Sequence, residues 1–458
     1  MKYKILNLEN ILFFIFLLTI MFILTFNVFH YSPLLGYDAE AHINYVDHFS
    51  RYLPDKIDLP SDKESREFFN PPIGYIVPSI TQVICRNTIN SNDFLSDCRP
   101  IYSKVTQIFQ SILYLLTIFI NLKILKKFNN QKSILNLGYL LLISILAANY
   151  RTISMIRGEP YIIFFLSLFL LILLEAHNKD FIFDVKFVLL FGLIIGLIAL
   201  SRQWGFLLFP PLIFMGFFKI IINKKKYFNF ILSSLFVGFL TSSWFYINLF
   251  IQYGSFTAFN KPRLPFSIFN KPFNFYIPNI ENLNYLFYKP IRPHLNNQFI
   301  TTLFSDLWGD YWGYFAFTSM HLDVGRNQKL IGDYLADVNK VSIISTFIIL
   351  FLYFKTIKKY KNNYFVNYLN KTVIFSFLGF LWFLLSFYES TGDTIKATYF
   401  IHAFHMMILI AAIYLQNIKD TNQSLYKLIL IILGGIFIFN FQSYLSHFPV
   451  SFIEDYRI

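Results

Sequence analysis

Long apolar runs alternate with short polar connections along almost the whole chain. The first run, Ile11 to Phe29, has the length of about 20 residues that carries a helix across a bilayer. Further runs follow at Val105 to Leu122, Ile134 to Ala148, Tyr161 to Leu174, Phe187 to Leu200, Phe206 to Ile222 and Phe230 to Phe250. The last four are Ile343 to Phe354, Val373 to Phe387, Ala397 to Leu415 and Leu428 to Phe441. This pattern predicts an all-α integral membrane protein, a single polytopic unit over residues 1–458 with about eleven transmembrane helices.

Two polar stretches, residues 30–100 and 252–340, are too long for turns and are predicted as large loops on one side of the membrane. In the first, Tyr45, Phe49 and Tyr52/Leu53 recur at the spacing of an amphipathic helix lying in the interface. Pro71-Pro72 blocks helix at Asn70 and braces the entry into the apolar stretch Ile73 to Ile84. In the second loop, Lys-Pro pairs at Lys261, Lys271 and Lys289 predict extended, irregular chain with short helices.

Composition agrees. With 55% hydrophobic, 20% aromatic and 14% charged residues, the chain cannot be a soluble globule. A net charge of +13 would suit nucleic acid, but the lysines cluster between spans, at Lys123/Lys126/Lys127, Lys224/Lys225/Lys226 and Lys355/Lys358/Lys359/Lys361. Such clusters belong in cytoplasmic loops, so no nucleic-acid partner is expected. Lys2 and Lys4 place the N-terminus inside, both large loops outside and, by alternation, the C-terminus outside. The first run exceeds a signal-peptide core and lacks a small-x-small cleavage site at Asn27-Val28-Phe29-His30, so it reads as an uncleaved span. The two cysteines, Cys85 and Cys98, share the first outer loop and are candidates for a disulfide, a reduced pair being the alternative. Asn-x-Ser/Thr occurs only at Asn370 and Asn422, both predicted inside, which favours a bacterial inner membrane with the site facing the periplasm or exterior.

The spans are almost free of ionisable groups; only His402 and His405 lie well within one. Coupled transporters carry charges near the midplane, whereas this chain keeps them at the outer boundary. The chemistry is expected around Gly36-Tyr37-Asp38-Ala39-Glu40-Ala41-His42, just past the first span. Asp38, Glu40 and His42 could form a general base with its helpers, or part of a divalent metal site in which Asp38 and Glu40 would be the ligands. Asp38 as a mere helix N-cap is the plainer alternative. Arg157, Arg202 and Lys396 fall at the same boundary, where they could stabilise a leaving phosphate or simply anchor span ends among head groups. Tyr399 and His402, about one helical turn apart, could line a pocket, and Trp308, Tyr311 and Trp312 could stack on a sugar. Asp306 and Asp310 could share a helix face.

The order of these pieces resembles the GT-C superfamily of membrane glycosyltransferases, notably the relatives of dolichyl-phosphate-mannose protein mannosyltransferases and of bacterial aminoarabinose and rhamnosyl transferases. The matching elements are Asp38-Ala39-Glu40 after the first span, Pro71-Pro72-Ile73-Gly74-Tyr75, Arg157-Gly158-Glu159 after the third span, and Lys396-Ala397-Thr398-Tyr399 at a late one. Many relatives have adjacent acids where this chain has Asp-x-Glu, and often an arginine where it has Thr398. The resemblance implies a GT-C-like bundle whose two large outer loops carry interfacial helices. It further implies a polyprenyl-phosphate-linked sugar as donor, transferred with inversion to a glycan, lipid or protein acceptor. Asp38 and Glu40 would then be catalytic, with Arg157, Arg202, Lys396 and Tyr399 on the donor phosphate and His42, Glu159 and His402 on substrate. A polysaccharide polymerase or ligase, or a lipid-linked sugar flippase or transporter, remains an alternative.

Overall fold

The structure is a computed structural model that describes residues 8–34, 36–89, 94–131, 133–290, 294–295, 297–316, 325–387 and 392–446. Lys2, Lys4, Glu389 of the late outer loop and the C-terminal residues 447–458 lie outside the described residues.

Among the described residues every regular element is helical. Seven helices are long and apolar enough to cross a membrane, and the protein is an integral membrane protein. They are α1 (Leu8–His30), α4 (Phe94–Phe128), α7 (Glu159–Asn178), α10 (Lys224–Tyr253), α14 (Gly325–Lys359), α15 (Tyr364–Ser386) and the segment Ala397–Thr421 that contains α16 (Ile401–Thr421). The run expected as one straight third span is instead α5 (Leu137–Ser144) and α6 (Ala147–Ser154), bent by 68°. Arg151, which lies past the expected end of that run at Ala148, is therefore inside α6. Three other expected spans are shorter apolar helices: α8 (Val185–Ser201), Gln203–Met215 with α9 (Phe209–Met215) at its end, and α17 (Gln423–Phe439).

The first outer loop holds α2 (Ala39–Arg51) and α3 (Ile73–Thr88). On α2, Tyr45 and Phe49 are buried while Tyr52, just beyond its end, is exposed. On α3, Ile76, Ile80 and Ile84 form an exposed apolar stripe at i, i+4, i+8, the face a helix lays against lipid. The second loop holds the short helices α11 (Phe273–Tyr276), α12 (Ile280–Tyr288) and α13 (Phe299–Trp308). It is shorter than the sequence suggests, because α14 is already helical from Gly325 rather than from Ile343. Cys85 and Cys98 are joined as a disulfide, with Cα atoms 5.8 Å apart, tying α3 to the start of α4.

One apolar core runs from Phe13 on α1 to Phe437 on α17, and α8 packs closely on α10, α4 on α7 and α14 on α16. Two glycines bring several helix ends of this bundle together. A Cβ at Gly158 would fall 2.0 Å from the Ser201 carbonyl oxygen, and one at Gly74 would fall 2.9 Å from the Arg157 carbonyl carbon. Only a bare Cα lets the start of α3, the α6–α7 junction and the end of α8 meet there. Arg157, Glu159 and Arg202 sit at that meeting point. The lysines lie at the opposite helix ends: Lys126 and Lys127 end α4, Lys224 begins α10, Lys358 and Lys359 end α14, and Lys419 is in the last turn of α16.

Candidate active site

Asp38 stands at the N-cap of α2 but does not cap it with its side chain. Its backbone lies in the left-handed region, φ 63°, a conformation Asp tolerates better than most residues. The carboxylate meets Lys396 Nζ at 2.5 Å instead. The cap-only reading therefore fails for this carboxylate. Burial by itself would raise the Asp38 carboxyl and lower the Lys396 ammonium. Their mutual attraction and hydrogen bond outweigh it, leaving Asp38 well below the usual carboxylate range and Lys396 above the usual ammonium range.

The three predicted cations come together, strung on two tyrosine rings. Lys396 and Arg157 both lie over Tyr37, at 4.4 and 4.8 Å from its centroid. Lys396 and Arg202 both lie over Tyr399, at 5.6 and 5.7 Å. The cations thus share π faces, without touching one another. Arg202 is neutralised by Glu159, Nη2 to Oε1 2.7 Å, and also donates to the Asn70 side-chain oxygen. Buried Arg157 has no carboxylate partner among the described residues. It donates only to the Tyr37 hydroxyl at 3.5 Å and Thr398 Oγ1 at 3.4 Å, and its Nε has no hydrogen bond. Thr398, standing where an arginine was expected, fills the space beside Arg157 and pairs with Thr152 Oγ1 at 3.0 Å.

The second acid near Asp38 is Glu67, not Glu40. Glu40 is exposed and makes no side-chain hydrogen bond or ion pair among the described residues. Glu67 is buried and accepts from the Asn70 amide, whose nitrogen also donates to the Tyr75 hydroxyl at 3.1 Å. Burial, with the Asp38 charge, pushes the Glu67 carboxyl up to about 7. His42 is buried with Nδ1 2.7 Å from the Tyr75 hydroxyl, and burial together with Arg157 and Arg202 holds it neutral, well below the usual imidazole range. Asn70 thereby links Arg202, Glu67 and the Tyr75–His42 pair.

Other sequence expectations change. His402 is buried within the bundle, Nε2 3.0 Å from Ser376 Oγ, and His405 Nε2 lies 2.9 Å from Asn149 Oδ1 while its Nδ1 has no hydrogen bond. Trp308, Tyr311 and Trp312 are buried, and Trp312 Nε1 donates to the Ile395 carbonyl at 3.1 Å, so none presents a face to a sugar. Asp306 and Asp310 do share a partner, but it is Arg151, at 2.9 and 3.4 Å. Asp306 Oδ2 also accepts from the Ala397 N–H at 2.7 Å, fixing the turn that presents Lys396. Burial pushes the Asp306 carboxyl up to about 6 even against the Arg151 charge. Asp38, one of the two expected metal ligands, pairs with the Lys396 ammonium, and Glu40, the other, is exposed. No three His, Cys, Asp or Glu side chains group as ligands among the described residues.

Beside the cluster lies an open cleft with about 740 Å³ of empty space. Its walls are Phe69, Trp204, Phe206, Leu207, Phe259, Trp382, Phe383 and Phe387, and its polar end is formed by Asn70, Arg202, Gln203 and Tyr399.

Among solved structures, the chain is similar to the Archaeoglobus fulgidus oligosaccharyltransferase tethered with an acceptor peptide containing the NVT sequon. The TM-score is 0.54 at 13% identity, over 97% of this chain and 57% of that one. The chain has the GT-C fold. ArnT from Cupriavidus metallidurans, bound to undecaprenyl phosphate in its structure, matches with TM-score 0.49 and 10% identity, over 92% of this chain and 63% of that one. The chain therefore spans less than two thirds of the length of either, at 57% and 63%. No family model matches the sequence, and no curated protein does.

On this GT-C bundle the charged cluster is built from helix ends: the exit of α1, the starts of α3, α7 and the last long span, and the end of α8. Glu67, Asn70 and Tyr37 were in plain sight in the motifs but carry roles their spacing does not announce. Glu67 and Asn70 precede the proline pair, which sequence reasoning treats as a brace.

Proposed function

We propose that the chain is a glycosyltransferase that moves a sugar from a polyprenyl-phosphate donor to a hydroxyl acceptor at the extracytoplasmic face of the membrane. The observation that carries this reading is an apolar cleft ending at Arg202 and Tyr399, with Lys396 and Arg157 one ring further in. Such a site matches both halves of the donor, an isoprenoid chain and a phosphate. The lysines at the opposite helix ends and the disulfide, which favours an oxidising compartment, support this side.

In the reaction the acceptor oxygen bonds to the anomeric carbon, the bond from that carbon to the phosphate oxygen breaks, and the polyprenyl phosphate leaves with the electron pair. Cations fixed at the phosphate stabilise the charge that develops there. Arg157, lacking an acid of its own, has the most to offer a phosphate. Lys396 serves both steps. At rest its charge makes Asp38 a weak base; a donor phosphate that takes over Lys396 frees Asp38 and restores its affinity for the acceptor's proton. Donor binding would thus switch on the base. Glu159 and Asn70 act on Arg202 and so position it, while His42 and Tyr75 brace the loop that carries Asp38. Inversion is implied by the resemblance to GT-C transferases.

The experiment uses purified protein in vesicles with a panel of polyprenyl-phosphate sugars. Donor-dependent transfer of a single sugar supports the reading. Movement of intact donor across the bilayer would mark a flippase, and long products would mark a polymerase.

A further inference from the structure

A second cleft lies against the first, with about 1230 Å³ of empty space, and the two share Thr257, Phe259 and Phe387 as a common wall. The first is walled mainly by aromatic side chains; among the described residues the second is lined by Arg66, Lys261 and Arg263, with Asp62 as the acid. Arg66 and Arg263 are exposed, and Arg263 lies 5.1 Å from the centroid of Trp382, itself a wall of the donor cleft. Lys261 is half-buried and near enough to Lys396 and Asp38 to interact with their charges, so one wall of the cleft stands close to that pair. Among the described residues that line it, basic groups outnumber acids. Neither Arg66 nor Arg263 contacts the donor cluster directly among the described residues.

We infer that this second cleft admits the acceptor, and that it selects one carrying an anionic group, a phosphate or a carboxylate, near the hydroxyl to be glycosylated. The inference rests on the transferase reading. The lipid donor enters from the bilayer along the apolar cleft, and the acceptor enters from water along the cationic one. The shared wall at Phe259 keeps the isoprenoid chain out of the polar space. A cleft with low-dielectric walls focuses the field of its arginines, concentrating anions at the entrance to the site.

The test measures binding to the full chain in phosphatidylcholine nanodiscs, using glucose 6-phosphate, glucuronate and glucose as probes and undecaprenyl phosphate as the donor control. At least one anionic sugar should bind about tenfold or more tightly than glucose, the gain expected of a charge-assisted contact. Which one does so identifies phosphate or carboxylate as the recognised group. Arg66→Glu and Arg263→Glu should each weaken it by about tenfold or more, with undecaprenyl phosphate binding unchanged. Equal binding of glucose, no binding of either anion, or anion binding that survives both substitutions overturns the inference. So does a parallel loss of undecaprenyl phosphate binding in the variants. Failure of wild type to bind undecaprenyl phosphate, with anion selectivity intact, would count against the donor reading alone.

Discussion

Lys396 Nζ lies 2.5 Å from the carboxylate of Asp38, a residue 358 positions earlier in the chain. The pair closes the charged cluster and sets the ionisation of both groups. Asp38, whose folded pKa is depressed, contributes stability above the ordinary carboxylate range that is lost only as pH falls below it. Lys396→Met removes the partner and leaves burial to raise the Asp38 carboxyl, so the variant lacks that stability already at neutral pH. Thermal unfolding in detergent should show the wild-type advantage over the variant shrinking as pH falls through the acid range, and undecaprenyl phosphate should bind the variant about tenfold or more weakly. Unchanged donor binding would remove Lys396 from the phosphate site.

Arg157 is a buried cation without an acid partner among the described residues. Arg157→Lys retains charge but loses the planar fork, and should lower transfer by roughly tenfold or more, with Arg157→Met worse. Both should fold, since no buried carboxylate is left unpaired. Kinetics that return wild-type transfer for Arg157→Met would mean the guanidinium only packs on Tyr37.

Glu67 gives a pH signature with a definite sign. Its carboxyl moves from 4.5 to about 7 on folding. Between those values the folded protein keeps a proton the unfolded chain has released, so this group's contribution falls as pH rises through the interval and levels off above it. His42, held neutral, works in the opposite direction, so the comparison must be with Glu67→Gln. The wild-type melting temperature minus that of Glu67→Gln should decline from about pH 5 to about pH 7 and then flatten. A flat difference would show that Glu67 ionises normally.

Arg151 holds two carboxylates of the second loop against α6. Arg151→Leu leaves Asp306 and Asp310 buried without their cation and should destabilise by about 3 to 5 kcal/mol. His402→Gln, by contrast, should leave transfer within about threefold of wild type, because its partner is Ser376 rather than substrate. Unfolding and transfer assays on the two variants check both expectations.

The apolar rhythm made the membrane architecture legible, and the shared boundary of Asp38, Arg157, Arg202 and Lys396 made their convergence legible. What escaped was direction. Glu40 is two residues from Asp38, roughly 200° around a helix, so it faces away, whereas His42, four residues on, returns to the same side. Glu67 is brought in by a loop whose path no periodicity encodes. The bend between α5 and α6 falls at Ile145-Leu146, with neither Pro nor Gly to announce it. Aromatic residues such as Trp308 and Trp312 suit an interface and a core equally well, and only their burial in the folded chain decides for the core.

The central claim is that Asp38 takes the acceptor's proton once the donor has claimed Lys396. The direct measurement is sugar transfer by purified wild type, Asp38→Asn and Asp38→Ala, each with and without a chelator. Asp38→Asn keeps the shape of the loop and removes the proton acceptor, so transfer should fall by roughly 100-fold or more while the protein stays folded and still binds undecaprenyl phosphate. An active Asp38→Asn enzyme would contradict the account, and activity lost on chelation would move Asp38 from base to metal ligand.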